Sequence, residues 1–182
     1  MRMPGDRMPG DRSAADEVAR MIRVDHAGEY GAVRIYQGQR AVLGRGAAAP
    51  LLDHMQAQER AHLATFDALI AARRVRPTAL LPLWHLAGFA LGAATAALGE
   101  RAAMACTVAV EEAIESHYGA QIAALAETEA PLRATLAEFR AEEQEHRDIG
   151  LAHGAEQAPG YRLLSAAIKA GCRAAIALSE RI

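Results

Sequence analysis

Glu59-Arg60-Ala61-His62 and Glu143-Gln144-Glu145-His146 spell the same phrase, Glu-x-x-His, twice in one chain. A further glutamate stands about thirty positions upstream of each, Glu29 before the first and Glu111 before the second. Spacing alone does not separate Glu111 from its neighbour Glu112. On an α-helix, residues i and i+3 share a face, so Glu59 can act with His62 and Glu143 with His146. A lone glutamate on each of two other helices then bridges or caps. Four carboxylates and two imidazoles are the ligand set of a two-metal site inside a four-helix bundle. The donors are hard oxygens with two borderline nitrogens, suited to Fe or Mn, and no cysteine is required.

A single Glu-x-x-His is weak, because glutamate-rich helices produce it by chance and show it to solvent. The turn positions add the force. The midpoint of Glu29 and Glu59 is Gly44, followed by Gly46 and Pro50; the midpoint of Glu111 and Glu143 is position 127, just before Pro131. Both midpoints fall at helix breakers, so each pair of carboxylates is level across an antiparallel helical hairpin.

The expected elements follow from the same punctuation. Residues 1–12 carry a tandem repeat, Arg2-Met3-Pro4-Gly5-Asp6 then Arg7-Met8-Pro9-Gly10-Asp11, and read as a disordered tail. Ser13 caps a first helix, with Asp16 and Glu17 in its opening turn, running to about residue 43. Further helices are expected from Pro50 to about Val75, from Pro77 or Pro82 to about Leu98, from Glu100 to Glu127, from Pro131 to His153, and from Tyr161 to the end. Alternating strand patterns are nearly absent. The fold class is all-α: a four-helix bundle with an apolar crossover helix and an added C-terminal helix, one domain over 13–182.

Hydrophobic residues make up 52% of the 182 and aromatics only 4%, which favours closely packed, alanine-rich helices. A net charge of −2 gives no nucleic-acid footprint. Cys106 and Cys172 are too few for a disulfide framework and sit in alanine-rich runs, as small core residues in a reducing compartment. No secretory signal is evident.

From Pro77 to Gly99 there is no formally charged residue, and Arg73, Arg74 and Arg76 flank the start. That length is enough for a membrane span. A span here, however, would put Glu29, Glu59 and His62 on one side of the bilayer and Glu111, Glu143 and His146 on the other. The site and the segment together therefore select a crossover helix that packs on the bundle or lies in the membrane interface. Trp84 is an interfacial anchor if that helix meets lipid and a core residue otherwise.

The chain resembles the demethoxyubiquinone hydroxylases, di-iron monooxygenases of ubiquinone biosynthesis. The matching text includes Ile22-Arg23-Val24-Asp25-His26-Ala27-Gly28-Glu29-Tyr30-Gly31-Ala32, Arg74-Val75-Arg76-Pro77-Thr78, Pro82-Leu83-Trp84, Gly88-Phe89-Ala90-Leu91-Gly92 and the run from Ala103 to Glu112. The resemblance implies a ferritin-like bundle and two iron ions on Glu29, Glu59, His62, Glu111, Glu143 and His146. It decides for Glu111 over Glu112. It also implies a polyprenylated quinol substrate hydroxylated with O2, and NADH or the quinol itself as reductant; no Gly-x-Gly-x-x-Gly fingerprint is present. No catalytic residue beyond the metal ligands is expected.

Supporting residues are read from helix geometry. Asp25, one turn before Glu29, is expected to accept a hydrogen bond from the distal nitrogen of His62 or His146. His117 and Tyr118 are candidates to line the site or its channel, while His26 and His153 read as ordinary structural residues. A prenylated quinol stays in the bilayer, so peripheral attachment to the cytoplasmic face of the cell membrane is expected through residues 79–98, aided by Ala174–Leu178. A homo-oligomer or a complex with other biosynthetic proteins is compatible with the chain. The competing functions are a ferritin-like iron store, a di-manganese protein and a helical membrane-surface scaffold.

Overall fold

The computed structural model describes residues 13–182. The expected disordered tail at 1–12 lies outside them. The architecture is an all-α, ferritin-like bundle of six helices: α1 (Ala14–Leu43), α2 (Ala49–Arg73), α3 (Leu81–Ala97), α4 (Glu100–Ala124), α5 (Ala130–Ala152) and α6 (Tyr161–Ser179). There is no strand among the described residues.

Local chemistry sets the boundaries. Ser13 opens α1 with a capping box: its hydroxyl accepts from the Asp16 N–H at 3.0 Å, and Asp16 accepts from the Ser13 N–H at 3.1 Å. Prolines occupy the first turn of α2, α3 and α5, where a missing N–H costs nothing. α2 ends at Arg73 because Arg74 turns left-handed at φ 53°. Pro77 does not open α3: residues 75–78 stay outside helix, and the Thr78 hydroxyl accepts from the Leu80 N–H just before Pro82. α4 stops at Ala124, and the Glu127–Glu129 stretch forms a short 3-10 turn instead of continuing it.

Two helical hairpins, α1–α2 and α4–α5, make the bundle, and α3 crosses from one to the other. α3 is seated on α1 by glycine. A Cβ on Gly92 would collide with the Ile35 carbonyl oxygen, and one on Gly38 with that of Phe89. Such close approach lets the two backbones meet directly. At the far side Trp84 donates its indole N–H to the Ser179 hydroxyl at 3.0 Å, tying α3 to α6. Trp84 is thus half-buried with its polar edge turned inward. No helix among the described residues is long and apolar enough to cross a membrane.

The core is divided along the bundle axis. One cluster, with Ile22, Phe66, Leu136 and Phe139, fills the end near the start of α1. A second, with Leu52, Met55, Met104 and Val108, fills the other end. A third, with Ile35, Cys106, Val110 and Ile168, lies under α6. Cys106 is fully buried there and Cys172 packs against it; burial pushes their thiols up to about 12 and about 11.

The glycine contacts set up a matched pair of substitutions. Gly92→Leu should destabilise the fold by about 3 kcal/mol through overpacking. Gly171→Ala, whose new Cβ meets nothing within 4 Å, should be neutral or stabilise by up to about 1 kcal/mol through helix propensity. Urea unfolding of both variants reads the difference.

Candidate metal centre

Between the two end clusters lies a band of charge. Glu29 of α1, Glu59 and His62 of α2, Glu111 of α4, and Glu143 and His146 of α5 are each 0–1% exposed. Their donor atoms converge in two overlapping groups, Glu29–Glu59–His62–Glu143 and Glu59–Glu111–Glu143–His146, each with its atoms within 4.8 Å of one another. Glu59 and Glu143 belong to both groups; Glu29 and Glu111 belong to one each. Glu59 and Glu143 thus stand between the two groups, and Glu29 and Glu111 at their outer ends. Glu112 turns away to an ion pair with Lys169, which separates it from Glu111.

Both histidines present Nδ1 to this cluster. His62 Nδ1 lies 3.2 Å from Glu143 and 3.3 Å from Glu29, but 4.0 Å from its own helix partner Glu59. His146 Nδ1 lies 3.1 Å from Glu59 and 3.5 Å from Glu143. The pairing is thus across helices as much as along them. The donor set also fits a pair of metal ions on a second ground. Glu29 Oε2, both oxygens of Glu59, His62 Nδ1, Glu111 Oε2, both oxygens of Glu143 and His146 Nδ1 are buried without a hydrogen-bond partner. Buried polar atoms are normally satisfied, so eight such atoms pointing at one another call for cations.

The electrostatics agree. Two carboxylates about 4 Å apart repel by roughly 4 kcal/mol even at an effective dielectric of 20. Burial, then the neighbouring carboxylates, push Glu59 and Glu111 well above the ordinary glutamate value. Burial also opposes the charge on Glu143, but His146, His62 and Glu111 outweigh it and hold that group at about 2. At His62 burial lowers the value, and Glu143 and Glu29 outweigh it, raising the imidazole to about 11. Without metal, the cluster keeps protons in place of cations.

A ring of hydrogen bonds surrounds the donors. Tyr36 Oη donates to Glu111 Oε1 at 2.6 Å, and Tyr118 Oη donates to Glu29. His62 Nε2 meets Glu142 Oε2 at 2.5 Å, and His146 Nε2 meets Gln58 Oε1 at 2.9 Å. These outer contacts fix ring orientation and leave Nδ1 free to donate its lone pair. Phe139 stacks on His62 with ring centroids 3.9 Å apart, adding a second restraint.

Asp25 is a correction. It reaches neither histidine; its Oδ1 accepts from Gln121 Nε2 at 2.7 Å and stands 3.4 Å from His117 Nε2. The reason is directional: α1 faces α4 at this level, whereas the distal ring nitrogens turn into the α2–α5 seam. Gln58 and Glu142 were missed as their partners. The available signal was a polar residue four positions before each histidine. Tyr118 does reach the cluster, through Glu29, while His117 stands behind it with Asp25 and Gln121. His26 contacts Asp67 at 3.0 Å, and His153 the Ile149 carbonyl at 2.8 Å.

A helical bundle with this buried cluster defines the ferritin-like carboxylate–histidine class. Comparison with known sequences narrows it. A family profile described as ubiquinone biosynthesis protein COQ7 matches residues 16–179. The 3-demethoxyubiquinol 3-hydroxylase of Rhodospirillum rubrum is 64% identical over 182 residues, covering 100% of this chain and 84% of that protein. The mitochondrial NADPH-dependent 3-demethoxyubiquinone 3-hydroxylase of Homo sapiens is 57% identical, covering 91% of this chain and 78% of its own length. The mitochondrial 5-demethoxyubiquinone hydroxylase of Saccharomyces cerevisiae is 43% identical, covering 90% and 77%. The chain belongs to the COQ7 family of ubiquinone biosynthesis proteins and is a hydroxylating oxidoreductase.

The proton balance makes a measurable prediction for metal-free protein. Glu59 and Glu111 hold protons that the unfolded chain releases around 4.5, and His62 holds one to about 11 against 6.5. The native state therefore binds more protons above those unfolded values, and its stability falls as pH rises. Glu143 acts the other way only in acid, its contribution being lost as pH falls from 4.5 towards about 2. The thermal midpoint of metal-free protein should drop from about pH 6 to about pH 9, and added divalent metal should restore it more at the higher pH. A flat or rising midpoint would contradict the electrostatic account.

Proposed function

We propose that this protein is a di-iron monooxygenase that hydroxylates the ring of a polyprenylated demethoxyubiquinol with O2. In this reading Glu29, Glu59, His62, Glu111, Glu143 and His146 hold the two ions. What carries it is one observation: eight unpartnered donor atoms on six buried side chains in a chain of this family. Two bound iron ions supply electrons and open coordination positions for the activation of O2. The balance is one ring C–H, one O2, two electrons and two protons giving one ring C–OH and one water. The electrons come from NADH or from the quinol.

The rest is the work of the chain. Tyr36 and Tyr118 hold the outer carboxylates, and Gln58 and Glu142 hold the imidazoles, so the site is formed before substrate arrives. The apolar clusters at both ends of the bundle keep bulk water from the reacting atoms.

An apolar cavity of about 540 Å³ between α1, α3, α4 and α6 suits the substrate. Gly28 and Gly31 of α1, Val110 and Ile114 of α4, and Ile168 and Gly171 of α6 line it. Two of these wall positions adjoin the outer glutamates in sequence, Gly28 before Glu29 and Val110 before Glu111. In this reading a prenylated ring enters here and lays its tail along the apolar wall, which is built from the same stretches of α1 and α4 that carry Glu29 and Glu111.

Attachment to the cytoplasmic face of the cell membrane is part of this reading, and apolar side chains exposed on the outer side of α3 and α6 support contact with a membrane surface. Leu83 and Leu86 of α3, Leu98 just after it, and Leu163 and Leu178 of α6 are 43–78% exposed. Arg74 and Arg76 stand exposed before α3, next to where anionic headgroups would lie. Arg73 is engaged with Glu129 instead.

A deletion strain should accumulate the demethoxy quinone. Wild-type protein should restore conversion, and Glu143→Ala should lower it by at least about 100-fold. Carbonate should strip the protein from membranes. Purified protein that oxidises Fe(II) but leaves the quinol unchanged would favour an iron store and refute the oxygenase reading.

A further inference from the structure

The two halves of the cluster repeat one another residue by residue. Two turns beyond Glu29 stands Tyr36 and three turns beyond stands Gln39; Glu111 is followed at the same intervals by Tyr118 and Gln121. The contacts cross over reciprocally. Tyr36 bonds Glu111 and Tyr118 bonds Glu29; Gln58 backs His146 and Glu142 backs His62. Gln39 Nε2 reaches Thr107 at 3.4 Å, one turn before Glu111, and Gln121 Nε2 reaches Asp25 at 2.7 Å, one turn before Glu29.

Among the places where the repeat is not kept, two change the charge of a group behind the donors, and both fall on one side. A carboxylate, Glu142, stands behind His62 where an amide, Gln58, stands behind His146. A carboxylate, Asp25, stands one turn from Glu29 where a hydroxyl, Thr107, stands one turn from Glu111. We infer that the two ion positions are unequal: the position bounded by Glu29 and His62 binds a divalent cation more tightly than the one bounded by Glu111 and His146, with Glu142 and Gln58 as the positioning residues that set the difference. This presupposes the metal-binding role proposed above and adds an order of filling to it.

The cause is acceptor charge. A carboxylate accepts a hydrogen bond about twice as strongly as a neutral group and draws the Nε2 proton towards itself. Electron density then rises at Nδ1, the atom aimed into the cluster, and makes His62 the better donor. Asp25 adds a second carboxylate on the same side, buried but tempered by His117 at 3.4 Å and by the Gln121 amide, so the larger share of the difference falls to Glu142. Glu142 is 33% exposed, so its effect is tempered by water without being lost.

Cobalt(II) titration of the metal-free full chain tests this without turnover. Glu111→Gln leaves the Glu29–His62 position intact, and Glu29→Gln leaves the Glu111–His146 position. The ion remaining in Glu111→Gln should bind roughly 10-fold or more tightly than the ion remaining in Glu29→Gln. Adding Glu142→Gln to the first should weaken it by about 10-fold, and adding Gln58→Glu to the second should tighten it similarly. Far-UV dichroism and thermal midpoints of the metal-free variants should stay together, which separates donor tuning from misfolding. Nearly equal affinities in the two single variants, or the reverse order, would overturn the inference. Failure of the wild-type chain to bind cobalt at all would instead overturn the metal site itself.

Discussion

Four carboxylates buried within reach of one another are the constraint around which this molecule is organised. An uncompensated cluster of that kind is strongly unfavourable in a dry core, so it persists only with cations or protons in place. The fold reflects that demand. Large apolar side chains are segregated to the two ends of the bundle, and the middle layer is left to the charged groups and the hydroxyls and amides that hold them. The tyrosines cross from one hairpin to the other, so Glu29 depends on α4 and Glu111 on α1. Neither hairpin completes its own part of the cluster.

The crossover helix has a different logic. Its apolar face does not fill the bundle core; it closes a cavity against α1 and α6 and leaves leucines outward. Glycines at 38 and 92 let it sit against α1 at backbone distance, so the cavity wall is firm even though its outer surface is greasy. A segment with the composition of a membrane span is thus compatible with a metal cluster whose ligands come from both sides of it in sequence, because the helix packs on α1 and α6 instead of putting a bilayer between the two hairpins.

Much of this was legible in the chain. The repeated Glu-x-x-His and the breakers at the hairpin midpoints gave the bundle and five of the six converging side chains, because helix periodicity is local and converts directly into a shared face; Glu111 was separated from Glu112 only by the family resemblance. Which glutamates stand between the two groups was not legible: it depends on the height of Glu59 and Glu143 relative to each other across the α2–α5 seam, a tertiary fact. The outer partners failed for a related reason. Asp25 was assigned by its own helix, yet the histidine rings are oriented by the helix opposite, and only the assembled seam names Gln58 and Glu142. The parallel runs Glu29…Tyr36…Gln39 and Glu111…Tyr118…Gln121 were readable in advance, and their reciprocal bonding is what a duplicated helical hairpin produces.

The central claim is that these six side chains hold a pair of ions together. Mössbauer spectroscopy of protein purified from cells grown with ⁵⁷Fe tests it most directly, with iron counted on the same sample. The account predicts two iron ions per chain and, after oxidation, a spin-coupled diferric pair with a diamagnetic ground state. Isolated paramagnetic ferric ions, a single iron per chain, or no iron in a folded protein would contradict it.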